Sequence, residues 1–156
     1  MTMQELIQKL KQRPGTLDEH LDKQKQDWMK AIEALFGEIE RWLAPAVSAG
    51  VLTTRHSTTI VGEEDFGEYE VPVLHISDGR LTVRIEPVGG RVAGVATTGQ
   101  RHTGLRGRVD LICGATQIPL ARDAWGKWKA LPLRGAARDL TEESFVEILS
   151  ALLLNE

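Results

Sequence analysis

Cysteine, long apolar runs and aromatic residues are all scarce in this chain. Its 156 residues include one cysteine, Cys113, which excludes an intramolecular disulfide and a zinc site built from several thiolates. No apolar run approaches the roughly 18 residues that a membrane-spanning helix needs. The stretch Met1–Leu10 lacks the basic-then-apolar order of a signal peptide, so we expect a cytoplasmic protein. Aromatic residues are only 5% of the chain, and no strand shows the paired aromatics of an RNA-recognition sheet.

The overall composition is ordinary for a globular protein, with 42% hydrophobic and 26% charged residues. The length predicts a single domain over residues 1–156, because domains most often contain about 100–150 residues. A chain of this size buries about 68–70% of the surface that its unfolded form exposes. It therefore needs no disulfide or structural metal to hold a core, and we expect neither a cofactor nor a metal ion.

Helical patterns occupy the N-terminal third of the chain. Residues 1–15 have a short helical pattern that ends in a turn, and a long helix is predicted over residues 16–47. Thr16 and Glu19 have the spacing of a capping box, in which each side chain satisfies an unpaired backbone N–H at the helix start. Because proline lacks a backbone N–H, we expect the regular helix to end at about Pro45.

The long helix has one apolar side and a polar first half. The polar stretch from His20 to Asp27, interrupted only by Leu21, fits a solvated helical arm. The alternative is a homodimer contact through this long N-terminal helix. Farther along, apolar residues recur in steps of four and three, the spacing of a stripe that covers a sheet. The stripe consists of Trp28, Ile32, Leu35, Ile39 and Trp42.

A period of two replaces the helical pattern over residues 51–133. Apolar and polar residues alternate there, and the Asp78-Gly79 turn between two alternating runs is a strong hairpin signal. A second helix is predicted over residues 141–154, with Thr141 as its N-cap. Together these elements predict an α+β fold with a long N-terminal helix, a mainly antiparallel sheet of five to six strands, and a C-terminal helix packed on one face.

Charge is divided unevenly between the predicted sheet and the predicted helices. Residues 80–138 contain eleven basic and three acidic residues, a net charge of +8. The flanking residues 1–79 and 139–156 contain eight basic and nineteen acidic residues, a net charge of −11, so the whole chain carries −3. Nine of the eleven basic residues are arginines, whose planar guanidinium pairs with a carboxylate or a phosphate through two parallel hydrogen bonds.

Several of these arginines alternate with apolar residues, so they should share the sheet face opposite the long helix. We therefore predict a non-enzymatic protein that binds an acidic protein partner or nucleic acid, similar in size and class to inhibitors, immunity proteins and antitoxins. The alternative is internal neutralisation, for which the acidic stretch Glu63–Glu68 is available. The tryptophan cluster Trp125-Gly126-Lys127-Trp128-Lys129 could bind the partner if it is exposed, and the alternative is that one tryptophan packs at the core edge. The predicted binding residues are Arg80, Arg84, Arg101, His102, Arg106, Arg108, Trp125 and Lys127.

The sequence offers little support for a catalytic or metal site. Its four histidines lack metal-ligand spacing, although His56 and His75 could meet across neighbouring strands. A lone histidine pair of this kind is more often structural than metal-binding. The chain contains neither a nucleophile elbow nor a phosphate-binding loop motif.

One predicted hairpin resembles the core hairpin of restriction-endonuclease-like nucleases. It consists of Gly107-Arg108-Val109-Asp110-Leu111-Ile112, a turn, and Gln117-Ile118-Pro119. The resemblance implies a magnesium site at Asp110 and Gln117, completed by an acidic residue on a preceding helix, here Glu38. Pro119 stands where the family has a lysine, so the resemblance implies an inactive relative. From the residues alone, the alternative for Asp110 is a salt bridge to Arg106 or Arg108 on the same strand face.

Overall fold

A computed structural model describes the backbone of residues 1–12, 17–91, 95–97, 100–102, 106–131 and 136–154, and the side chains of residues 1–12, 19–91, 106–131 and 136–154. The helices in these ranges are α1 (Met3–Gln12), α2 (Leu17–Ser48) and α3 (Glu142–Leu154). The strands in the same ranges are β1 (Thr53–Glu63), β2 (Gly67–Ser77), β3 (Thr82–Gly89), β4 (Val95–Thr97), β5 (Gln100–His102), β6 (Gly107–Cys113), β7 (Thr116–Arg122), β8 (Trp128–Ala130) and β9 (Arg138–Asp139).

Seven of the described strands form one antiparallel sheet in the order β1-β2-β3-β6-β7-β8-β9. Between β3 and β6, the short strands β4 and β5 pair with each other in a separate antiparallel sheet. The predicted α+β class and antiparallel sheet are confirmed, whereas the prediction of five to six strands is too low. One reason is β9, which has only two residues paired with β8, too few for a period-two signal in the sequence.

α2 covers one face of the sheet with the predicted apolar stripe. Trp28, Ile32 and Ile39 are each at most 1% exposed. They belong to one core with strand residues such as Ile85 and Leu111. Because full burial of each side chain of this size contributes about 1.5–3 kcal/mol, the stripe is the main attachment of the helix to the sheet.

α2 continues through Pro45, where the missing N–H was expected to end the regular helix. It spans Leu17–Ser48, within one residue of the predicted range 16–47 at each end. After it, Gly50 adopts a left-handed φ of 75°, and its N–H donates to the Val47 carbonyl at 3.0 Å. The Val51 N–H donates to the Ala46 carbonyl at 3.1 Å. This Schellman arrangement satisfies carbonyls of the last turn, which offsets the hydrogen bond that the proline cannot donate.

α3 packs on the same face and begins at its predicted cap. Thr141 Oγ1 accepts the Ser144 N–H at 3.1 Å, and Ser144 Oγ accepts the Thr141 N–H at 2.8 Å. This reciprocal pair is a capping box in which serine takes the place of the usual glutamate. The Phe145 ring lies 5.6 Å from the Trp42 ring of α2, so the two helices share one core. The cap predicted for α2, Thr16, lies outside the described residues.

Trp28 occupies the end of the sheet where β3 stops and β6 starts. A side-chain carbon added at Gly107 would lie 2.1 Å from the Trp28 ring, and one added at Gly90 would lie 2.6 Å from it. Only glycine leaves room for the indole at these positions.

Trp28 Nε1 donates to the Tyr69 hydroxyl at 3.1 Å, and this hydroxyl donates to the Glu63 carboxylate. The same carboxylate accepts the Gly90 N–H at 3.0 Å, which closes the network.

Tyr69 is the only tyrosine of the chain, so its ionisation can be followed by itself. Burial, the hydrogen bond to Glu63 and the charge of that carboxylate raise the pKa of Tyr69 above its ordinary value of 10.0. The pKa of Tyr69 is higher in the folded than in the unfolded protein. The neutral phenol therefore contributes its full stabilisation of the folded state below pH 10, and this contribution is lost as the pH rises further. We expect the phenolate absorbance of the native protein to appear well above pH 10, and that of the denatured protein at its ordinary pH. Coincident native and denatured titrations would contradict the network.

Candidate functional site

The candidate site lies on the sheet face that points away from α2 and α3, which we call the outer face. Ile85 and Leu111 point into the core, so their strand neighbours Arg84 and Asp110 point to the outer face. The register across β1, β2, β3, β6 and β7 places one outer-face residue of each strand side by side. In strand order these residues are Arg55, His75, Arg84, Ile112 and Gln117.

The predicted binding residues do not form one surface. Arg84 and Arg108 lie on the outer face, whereas Arg80 is exposed in the turn before β3 instead of on that strand. The Asp78 carboxylate accepts the backbone N–H groups of Leu81 at 2.7 Å and of Arg80 at 2.8 Å. This Asx turn delays the start of β3, and its hydrogen bonds lower the pKa of Asp78 below the ordinary value.

Three more predicted residues lie at the other end of the sheet. Arg106 immediately precedes β6, while Trp125 and Lys127 lie in the turn between β7 and β8. Asp123 Oδ1 accepts the backbone N–H groups of both turn residues at 2.9 Å. Because the eight residues of β3 rise about 3.4 Å each, this end is roughly 25 Å from the Arg80 turn. A single ligand group therefore does not contact both ends.

The two tryptophans of the cluster differ in their exposure. Trp125 is 86% exposed, whereas Trp128 packs at the core edge with its ring 6.0 Å from the Trp28 ring. Beside it, a groove of about 570 Å³ separates α2 from the β7–β8 turn. The side chains of Arg101 and His102, the last two predicted binding residues, lie outside the described residues.

Carboxylates within the outer face pair with two of its arginines. Arg84 Nε donates to Glu86 at 2.9 Å, and Arg108 donates to both oxygens of Asp110 at 2.8 and 3.2 Å. Each pair lies along one strand, and the two acidic residues are direct partners across β3 and β6. Neutralisation on the outer face thus comes from strand neighbours. The acidic stretch 63–68 instead neutralises Arg91 in the turn after β3, where the Asp65 carboxylate lies 2.7 Å from the Arg91 guanidinium. Most of the outer face is therefore of mixed sign.

The structure does not bring together the three metal ligands that the nuclease resemblance implies. Asp110 is 2% exposed, and its oxygens accept hydrogen bonds from Arg108 and Gln117. Glu38 lies on α2, on the opposite side of the sheet, where it pairs with Arg41. The salt bridge that was the alternative for Asp110 is confirmed, with Arg108 as its partner. Within the side chains that the structure describes, no group of three or more His, Cys, Asp and Glu is placed to hold a metal ion.

The two histidines expected on neighbouring strands do not meet. The register pairs His75 with Arg55 and His56 with Leu74. Since successive strand residues point to opposite faces, His75 lies on the outer face and His56 on the helix side. There His56 pairs with Glu40 of α2. The meeting of His56 and His75 that the sequence allowed does not occur.

A polar cluster that the sequence did not single out surrounds His75. Ser57 Oγ lies 2.7 Å from His75 Nε2, and Arg55 Nη2 lies 3.5 Å from His75 Nδ1. Arg84 is the register partner of His75 on its other side. Burial, followed by the positive charges of Arg55 and Arg84, holds the pKa of His75 below its ordinary 6.5, against the opposing charge of Glu86. We call Arg55, Ser57, His75 and Arg84 the outer-face row.

Strand register, which brings this row together, could be read only in part from the sequence. Counting back from the β1–β2 turn places Arg55 opposite His75. A two-residue Asp78-Gly79 turn would place His75 opposite Thr82, whereas the four-residue turn of the structure, 78–81, places it opposite Arg84. Alternation within each strand assigns a face but does not say which residues become neighbours.

Comparison of the chain with protein-family models, with curated proteins and with solved structures finds no match. Among the described helices, none is long and apolar enough to cross a membrane.

Proposed function

We propose that this protein is a non-enzymatic binding protein that docks an acidic protein partner on its outer face. The observation that carries the proposal is the outer-face row, in which two arginines and a histidine on three adjacent strands lie side by side. No described helix covers this face, because α2 and α3 both pack into the core on the other side. A cytoplasmic location is part of the same proposal.

The mixed charge of the remaining face favours a protein over nucleic acid. A nucleic-acid backbone is a continuous track of phosphates, and its binding is driven by many unpaired lysines and arginines. Here Glu86 and Asp110 already pair with Arg84 and Arg108. Alternating charges complement a protein surface, in which acidic and basic groups are also interspersed.

The experiment that tests this proposal compares a glutamate-rich peptide with DNA and RNA of similar charge. Fluorescence anisotropy should show that the peptide binds more tightly than either nucleic acid. Arg55→Glu should weaken peptide binding at least about tenfold, since a hydrogen bond to a charged group contributes about 1.5–3 kcal/mol. Arg41→Glu is the matched control, because Arg41 lies on α2 with a side chain that is 70% exposed. We expect it to change the affinity less than about twofold.

Two outcomes would contradict the proposal. Tighter binding of DNA or RNA, weakening steeply with salt, would identify a nucleic-acid-binding protein instead. An equal loss of peptide binding in both variants would show that net charge, and not the outer face, attracts the peptide.

Self-association through the N-terminal helices is a second proposal. α1 has no buried residue, and the apolar residues on its one side are between 38% and 69% exposed. They are Met3, Leu6, Ile7 and Leu10. Contact with a second copy would cover this apolar side. Sedimentation that shows only monomer at high protein concentration would contradict it.

A further inference from the structure

The hydrogen bonds of His75 define its tautomer. A guanidinium group only donates, so the Arg55 nitrogen 3.5 Å from His75 Nδ1 faces a lone pair there. On this ground we assign the proton of neutral His75 to Nε2, from which it donates to Ser57 Oγ at 2.7 Å. In this state the imidazole does not accept the hydroxyl proton, because the nitrogen beside the hydroxyl is already protonated. The pair is thus no activated nucleophile, and the Ser57 hydroxyl keeps its own proton to donate.

Both arginines of the row also have N–H groups that no described carboxylate accepts. Arg84 uses Nε for Glu86, and its terminal nitrogens have no partner among the described side chains. The Arg84 side chain is 48% exposed. Arg55 contacts His75 and no carboxylate within the described part of the chain. Directly paired residues of an antiparallel sheet have Cα atoms about 4.5–5.5 Å apart. The donors of the row therefore lie close enough together to bind the oxygens of one anion.

We propose that the outer-face row is a binding site for an oxyanion, a carboxylate or phosphate group of the partner, and that His75 takes up a proton when the site is filled. The inference rests on the proposed function in one respect, that the oxyanion belongs to an acidic protein. Its chemistry is that of charge-assisted hydrogen bonds from guanidinium and hydroxyl groups, which are stronger than hydrogen bonds between neutral groups.

Proton uptake follows from the groups that face His75. Arg55 on β1 and Arg84 on β3 oppose its protonation, and Glu86 on β3 favours it. Ser57 on β1 is uncharged. A bound oxyanion offsets both guanidinium charges and accepts from Arg55 in place of His75 Nδ1. This frees Nδ1 to take up the proton, so binding raises the pKa of His75. By linkage, the affinity increases as the pH falls through the pKa of the bound state, and it levels off below the pKa of the free state.

Sulfate is the first probe, because it keeps its charge from about pH 5 to 8. NMR of the histidine rings, with the His75 signal assigned by its loss in His75→Gln, should show that saturating sulfate raises the pKa of His75. The sulfate affinity should be severalfold higher at about pH 5.5 than at about pH 8, approaching tenfold for each unit of the shift. His75→Gln should remove this pH dependence. Arg55→Gln combined with Arg84→Gln should abolish binding, while Arg41→Gln on α2 should leave it unchanged.

The titration of His75 in the unaltered protein keeps the test independent of how well any variant folds. A pKa of His75 that sulfate leaves unchanged overturns the inference, and so does equal sulfate binding by the unaltered protein and the double variant.

A second experiment compares the glutamate-rich peptide with a phosphoserine counterpart and identifies the oxyanion. If the peptide binds at the outer face while His75 does not respond, the proposed function stands and this inference fails. If sulfate shifts His75 but no peptide binds, the site stands and the acidic partner fails.

Discussion

Gly107→Ala should lower the free energy of unfolding by about 3 kcal/mol. The added carbon would lie 2.1 Å from the ring of Trp28, far inside van der Waals contact. Trp28 is 1% exposed, and its indole N–H is bonded to Tyr69, so the ring does not move without losing packing and a hydrogen bond. Overpacking a core costs about 1–3 kcal/mol, and the displaced ring adds to this. For a chain of this length, the melting temperature should fall by roughly 6–12 °C.

Gly37→Ala is the matched control for this substitution. Gly37 lies in the middle of α2, and a side-chain carbon there would have no atom within 4 Å. Since alanine is favoured over glycine in a helix by about 1 kcal/mol, this variant should be as stable as the parent or slightly more so. Thermal unfolding of both variants checks the prediction. A Gly107→Ala protein with unchanged stability would mean that Trp28 is not held between β3 and β6 as described.

Asp110→Ala should destabilise the protein by about 2 kcal/mol. Asp110 is 2% exposed and accepts two hydrogen bonds from Arg108 and one from Gln117. Removing one partner of a fully buried pair costs about 3–5 kcal/mol. The Arg108 side chain is 25% exposed, so water can solvate its guanidinium after the carboxylate is removed. The expected cost is therefore about 2 kcal/mol, below the range for a fully buried pair.

A double-mutant cycle isolates this salt bridge from other effects of the substitution. Arg108→Ala and the double variant complete the cycle, and we expect a coupling energy of about 1–2 kcal/mol from chemical denaturation. The same proteins also test the nuclease resemblance. Cleavage of DNA by the unaltered protein that requires Mg²⁺, and that Asp110→Ala abolishes without loss of stability, would contradict the structural role given to this carboxylate.

The elements with a strong periodic pattern could be predicted from the sequence. The stripe of α2 from Trp28 to Trp42 and the Thr141 cap of α3 depend on residues a few positions apart. Such short-range patterns determine a helix and its buried side. The Asp78-Gly79 pair likewise predicts the β2–β3 hairpin from local sequence, although the turn spans residues 78–81 and shifts the register by two.

The features that the sequence did not predict depend on residues far apart in the chain. The two residues of β9 form a strand because β8 is beside them. The outer-face row required the registers of two hairpins at once, and alternation alone grouped Arg80 with Arg84 although Arg80 lies in a turn. Charge composition also overstated the basic character of the face, because the arginines pair with acids two residues away on their own strands.

The measurement that tests the central claim most directly is a map of backbone amide chemical shifts during titration with the glutamate-rich peptide. It needs no substitution and reports on the whole surface in one experiment. We predict that the largest shifts are those of Arg55, Ser57, His75 and Arg84, with little change in α2 and α3. Shifts centred on Trp125 and Lys127 in the β7–β8 turn, or on the exposed side of α1, would contradict the claim that the outer face binds the partner.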